Sequence, residues 1–250
     1  MNWLWKMLSK NKNMFFYVET IHEKGKRANN EDFLLADADK KIFIVCDGVG
    51  GHAKGEEASQ LATKSFHNFL SDKTINEITL VDALKYTEQK FTDFTAQNSD
   101  SEGMATTLTL LSLKDDKSAI LAHCGDSRIY HIRNRTILYQ TKDHSFVQEL
   151  LDGGFITEEQ AENHPQKNKI TRAIKGTEKP TQLSLYQIEN IQSEDYFMLC
   201  SDGILESISA DFISENFGAK TDLKALKNEI LQKCHQNTKD NFTAILIKVK

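Results

Sequence analysis

The chain has 250 residues, with 31 Lys and Arg against 36 Asp and Glu, and so a formal net charge of −5. That length suits one large domain or two small ones, and 39% hydrophobic with 27% charged residues argues against whole-chain disorder. The acidic balance counts against a broad nucleic-acid-binding surface, which would show as clustered Lys and Arg. No apolar run approaches the ~18 residues that span a bilayer. The N-terminus lacks the apolar stretch and cleavage site of a secretory signal. Cys46, Cys124, Cys200 and Cys234 lie far apart with no C-x-x-C pair, as expected for a cytoplasmic protein with reduced thiols.

Residues 1–13 read as an N-terminal extension, with Trp3, Leu4, Met7 and Leu8 on one side of two helical turns. Residues 14–250 read as one domain, since no Gly/Ser/Pro-rich linker divides them. Strand-like runs follow at Phe15–Thr20, Asp32–Ala36 and Ile42–Cys46. Helical periodicity marks Gly55–Leu70, where Ala58, Leu61, Ala62, Phe69 and Leu70 share a face, and Leu80–Gln97. Strands at Thr106–Leu113, Ala119–His123, Arg128–Ile132 and Ile137–Gln140 come next, the last two joined by a tight Arg133-Asn-Arg135 turn. A strand at Tyr196–Cys200, a helix at Thr221–His235 and a strand at Phe242–Val249 complete the order. Strands grouped apart from helices favour α+β over alternating α/β.

The informative feature is a repeated local design. Ile42-Phe-Ile-Val-Cys46 runs into Asp47-Gly48, and Tyr196-Phe-Met-Leu-Cys200 into Ser201-Asp202-Gly203. An Asp leaving a buried strand stands on a rigid base, and the following Gly lets its own backbone carbonyl and a ligand approach closely. Asp240-Asn241 precedes the final strand, and Asn30-Glu31-Asp32 opens the second. If these strands are neighbours, several carboxylates converge and raise one another's pKa. An all-oxygen set of this kind favours Mg²⁺ or Mn²⁺. Two such ions suit in-line attack of water on phosphorus, and Arg27, four residues before Glu31, is the natural phosphate grip. Zinc fits poorly, because no H-E-x-x-H or Cys/His cluster occurs. Asp47-Gly-Val-Gly-Gly51 is neither a P-loop nor a dinucleotide fingerprint: no Gly-Lys-Ser/Thr follows it, and Ala53 stands where G-x-G-x-x-G needs Gly.

Arg27-Ala-Asn-Asn-Glu31-Asp32, Asp47-Gly-Val-Gly-Gly-His52, Gly103-Met-Ala-Thr-Thr107, Gly125-Asp126-Ser127-Arg128, Ser201-Asp202-Gly203 and Asp240-Asn241 occur in this order. Together they resemble the metal-dependent 2C-type serine/threonine protein phosphatases of the bacterial branch, over about residues 15–250. The resemblance implies a four-layer α/β/β/α sandwich with two central antiparallel sheets flanked by helices. It also implies a cleft holding two Mn²⁺ or Mg²⁺ ions. In it Asp47 bridges both metals, the Gly48 carbonyl binds one, Asp202 and Asp240 ligate the other, and Glu31 holds its metal directly or through water. Asp32 supports these ligands, Arg27 binds phosphate and Asn241 orients the Asp240 loop. Asp126 helps hold a third, weaker metal together with Asp202; Glu206 stands near a position where another acid often contributes. Val49 replaces a His found after the first Asp-Gly in some members, so no general acid is assigned. Thr106 and Thr107 read as strand-packing residues.

Asp143–Gly176 resembles the family's flap, with a Ser145-capped helix, a Gly153-Gly154 break and a second helix from Thr157 to near Pro165. Lys167, Lys169, Arg172 and Lys175 could attract an acidic phosphopeptide. The implied activity is removal of phosphate from phosphoserine and phosphothreonine in proteins, substrates of a serine/threonine kinase, by a cytoplasmic monomer without nucleic-acid partners. The alternatives are a catalytically silent phosphoprotein-binding module of the same fold, or a metal-dependent nuclease or small-phosphoester hydrolase.

Overall fold

Apolar side chains that alternate along a strand with no polar face can be buried only between two layers, and this chain stacks two sheets between helices. A computed structural model of the protein describes residues 14–49, 54–176, 180–218 and 220–250. The expected N-terminal extension, 1–13, and His52 lie outside them.

One sheet has the order β1 (Phe16–Glu23), β11 (Phe242–Val249), β10 (Tyr196–Cys200), β7 (Arg128–Arg133) and β8 (Thr136–Gln140). The other runs β2 (Asp32–Asp37), β3 (Ile42–Val49), β5 (Leu108–Leu113), β6 (Ala119–Cys124) and β9 (Ser184–Ile188), with the two-residue β4 (Ala105–Thr106) beside β3. The pairings between these strands are antiparallel. Helices α1 (Gly55–Leu70) and α2 (Glu77–Gln97) cover the second sheet. Helices α5 (Asp202–Leu205), α6 (Ala210–Asn216) and α7 (Leu223–Asn237) cover the first. The short α3 (Phe146–Asp152) and α4 (Glu158–Glu162) stand in the connection from β8 to β9. This is the four-layer α+β sandwich that the sequence leads one to expect.

Period-2 alternation divides each central strand between two cores. In β3, Ile42, Ile44 and Cys46 face α1 and α2, whereas Phe43 and Val45 enter the layer between the sheets. In β10, Tyr196, Met198 and Cys200 face α5–α7, and Phe197 and Leu199 face the other sheet. Each such side chain contributes about 1.5–3 kcal/mol by leaving water, which makes the strand ends rigid mounts. The helices bury one stripe each: Ala58, Ala62, Phe66 and Leu70 in α1, Leu226, Ile230 and Cys234 in α7. All four cysteines are free and buried. Among the described residues, no helix is long and apolar enough to cross a membrane.

Three differences from the expected elements have local causes. Helix α2 begins at Glu77, not Leu80, because Asn76 and Thr79 form a reciprocal cap. The single strand expected over Thr106–Leu113 breaks at Thr107, whose backbone N–H turns to the carbonyl of Asp47 at 2.8 Å. Strand β9 carries no apolar alternation strong enough to be read, since it forms a half-exposed edge.

Candidate active site

The acids meet at one end of the sandwich because of strand direction. Strand β3 delivers Asp47 and Gly48 there, β10 ends just before Ser201-Asp202, and the antiparallel β11 begins just after Asp240-Asn241. Strand β2 starts at Asp32, directly opposite Asp47 in the β2–β3 register. Asp126 lies in the turn from β6 to β7, where the chain crosses from one sheet to the other. Arg27, Glu31, Asp47, Gly48, Asp126, Asp202, Asp240 and Asn241 all line one cavity of about 390 Å³, with Asn168 and Ile170 contributing from the 145–176 segment. Asp32 lies beneath it, 2% exposed.

Hydrogen bonds fix the mounts. Asn241, itself buried, accepts from the Glu31 N–H through Oδ1 and donates through Nδ2 to the carbonyls of Lys24 and Asn29, each at 2.8 Å. It thereby pins the loop carrying Arg27 to the Asp240 turn. Arg27 Nη2 donates to Asp240 Oδ2 at 2.5 Å. The Ser201 hydroxyl donates to Asp32 Oδ2 at 2.7 Å, while Asp32 Oδ1 is buried without a close hydrogen-bond partner among the described residues. Thr107 Oγ1 accepts from the Asp47 N–H at 2.9 Å, and Thr106 Oγ1 donates to the Asp47 carbonyl at 2.8 Å. These two threonines, expected only to pack, lock the Asp47 peptide; the paired hydroxyls of Thr-Thr after a glycine were the available signal. Glu206 is exposed and accepts from the Lys239 N–H at 2.7 Å, so it braces the Asp240 turn and is absent from the cavity lining. Arg172 is tied to His144 and Ser184, whereas Lys167, Lys169 and Lys175 are exposed.

The electrostatics are those of a site short of positive charge. Burial, and then the charges of Asp32, Asp202, Asp126 and Asp240, push the Asp47 carboxyl well above the usual range. Burial is also the main cause at Asp126 and Asp32, each raised to about 7, and at Asp202, raised to about 6, with neighbouring acids adding to each. Arg27 is a cation at the rim. Like charges held this close are costly unless cations join them.

The donors fit hard divalent ions: carboxylate oxygens and the backbone carbonyl of Gly48, with no sulfur or imidazole among the described lining residues. The Gly48 backbone is crowded as such a mount requires, since a Cβ there would stand 2.1 Å from the Gly55 carbonyl oxygen and 2.7 Å from that of Glu31. The acids line the cavity walls; among the described residues no three are already drawn together as a metal-binding group.

The family model of protein phosphatase 2C matches residues 20–241, and the chain belongs to that family. Protein phosphatase PhpP of Streptococcus pneumoniae is 36% identical over 234 residues, covering 90% of this chain and 93% of that protein. The crystal structure of the Mycobacterium tuberculosis serine/threonine phosphatase PstP/Ppp is 32% identical and superposes with a TM-score of 0.83, covering 94% of this chain and 99% of that one. The catalytic domain of PstP in complex with two manganese ions is 30% identical, with a TM-score of 0.73 over 95% of this chain and 99% of that one.

Proposed function

We propose that this phosphatase hydrolyses phosphoserine and phosphothreonine in proteins with the help of two Mn²⁺ or Mg²⁺ ions. The observation that carries the reading is the convergence of Asp47, Asp202, Asp240, Glu31 and the Gly48 carbonyl in one cavity with Arg27 at its rim. The PstP structures, named as those of a serine/threonine phosphatase, and the two manganese ions of the PstP complex support it.

Asp47, Glu31 and the Gly48 carbonyl would hold one ion, and Asp47, Asp202 and Asp240 the other; Asp126 with Asp202 would hold a third more weakly. When bound, the ions supply Lewis acidity, offsetting phosphoryl charge and acidifying the attacking water. The chain's own residues do the rest. Arg27, held by Asp240, presents a planar guanidinium able to pair two phosphate oxygens. Asn241 keeps that arginine in register with the acids. Thr106 and Thr107 fix the backbone that carries Asp47. Substrates are phosphorylated proteins, products of a serine/threonine kinase, met in the cytoplasm by a monomer. A silent phosphoprotein-binding module is the weaker reading, because the full acid set is retained.

The test is Mn²⁺-dependent release of phosphate from a phosphothreonine peptide, with Asp47→Asn and Asp202→Asn as controls. Activity should vanish with chelator and fall at least a hundredfold in both variants. Turnover that survives chelation refutes the mechanism.

A further inference from the structure

Asp126 is aimed into the cavity by the backbone of its turn, and the turn is held from outside by one histidine. His144 grips both polar groups of the preceding residue: the Gly125 N–H donates to His144 Nδ1 at 3.1 Å, and the His144 N–H donates to the Gly125 carbonyl at 2.8 Å. Gly125 has φ +104°, and a Cβ there would stand 2.6 Å from Thr107 Cγ2, so the turn has little freedom of its own. On the other side of Asp126, Arg128 and Asp143 form a two-bond ion pair at 2.7 Å each.

His144 also reaches the opposite cavity wall. Its carbonyl accepts from the Thr171 N–H at 2.8 Å, and Ser145 bridges Ile170, one of the cavity-lining residues. With Nδ1 engaged by Gly125, Nε2 lies 2.9 Å from Ser184 Oγ on β9 and 3.1 Å from Arg172 Nη1. The ring stacks on His123 at 4.5 Å. Burial, His123 and Arg172 push its pKa down to about 3, so the imidazole is neutral at physiological pH.

We propose that His144 is a positioning residue that sets Asp126 in the cavity and ties it to the Ile170 wall, so that the weakest cation site depends on His144 although the imidazole does not face the cavity. This rests on the reading of Asp126 as a ligand of that site. The test is manganese binding to the full chain, followed by electron paramagnetic resonance of free Mn²⁺, together with hydrogen exchange at the Gly125 amide. His144→Phe keeps an aromatic ring for the stacking but removes both nitrogens. It should weaken the weakest manganese site about tenfold to a hundredfold, the usual effect of losing a group that orients a ligand, and speed Gly125 exchange at least tenfold. His144→Asn, whose Oδ1 can take the place of Nδ1, should restore most of both.

If His144→Phe does not fold, His144→Asn must still outperform His144→Gln, whose amide reaches instead toward the Nε2 position. Asp126→Asn separates the two levels of the argument. If it removes the weak site while the His144 variants leave that site and Gly125 protection unchanged, the positioning role is overturned. If Asp126→Asn leaves every manganese site intact, the assignment of Asp126 fails, and the role of His144 with it.

Discussion

Removing a carboxylate from the cavity should stabilise the metal-free protein while harming the metal-loaded one. Asp126 provides a sharp case, with a folded pKa of about 7 against an ordinary value of 3.8. A tenfold change in proton affinity corresponds to about 1.4 kcal/mol, so keeping Asp126 ionised costs the folded state roughly 4 kcal/mol at pH 8. The sign follows from proton uptake. A raised carboxyl pKa means that the folded state holds more protons than the unfolded one between pH 4 and 7. The Asp126 contribution is therefore most favourable below pH 4 and is lost as pH rises through 7. Asp126→Asn removes that loss, and, since the neighbouring acids share it, the expected gain is about 2–4 kcal/mol at pH 8. For a chain of this length that is roughly 4–16 °C in melting temperature. Urea denaturation in chelator at pH 8 and at pH 4 measures it: the variant should be the more stable at pH 8 and match the wild type at pH 4. Saturating Mn²⁺ should narrow or reverse the difference at pH 8. A variant no more stable than wild type in chelator at pH 8 would refute the like-charge account of the cavity.

Other expectations are independent of that one. At the far end of the sandwich, burial alone would raise the buried Asp195, but the hydrogen bonds from Arg133 and His131 hold it down at about 2. Its contribution is present above pH 4 and fades as pH falls toward 2, and Asp195→Ala should cost about 3–5 kcal/mol at pH 7 by urea unfolding, with metal binding unaffected. Asn241→Ala breaks three 2.8 Å bonds. It should lower stability by about 2–4 kcal/mol and reduce kcat/KM by at least tenfold in a phosphopeptide assay. Gly48→Ala forces a Cβ against the Gly55 carbonyl, and calorimetry should show weakened tight manganese binding in whatever fraction folds.

Much of this was readable in the chain because the strongest signals are local. The runs Ile42–Cys46 and Tyr196–Cys200 are buried on both faces, and the Asp-Gly that follows each marks a strand end. Gly55–Leu70 kept its expected bounds, and Asn134 and Arg135 take the positive φ of a tight hairpin turn. What escaped reading depends on distant partners or on weak patterning. β9 is a half-exposed edge strand of Ser, Tyr and Gln alongside Leu and Ile. α6 is seven residues long and buries only Phe212 and Ile213. The Thr106 and Thr107 hydroxyls find a peptide 59 and 60 residues away. The clamp of His144 on Gly125 is likewise invisible until the chain is folded, since nothing in the local pattern distinguishes that histidine from one that merely packs.

The central claim is that acids remote in sequence hold a pair of divalent ions. Counting the manganese retained after exhaustive dialysis against low free Mn²⁺ tests it most directly. The account predicts about two ions per wild-type chain and fewer than one in Asp47→Asn, because Asp47 is shared by both. Two ions retained by that variant, or none by the wild type, would contradict it.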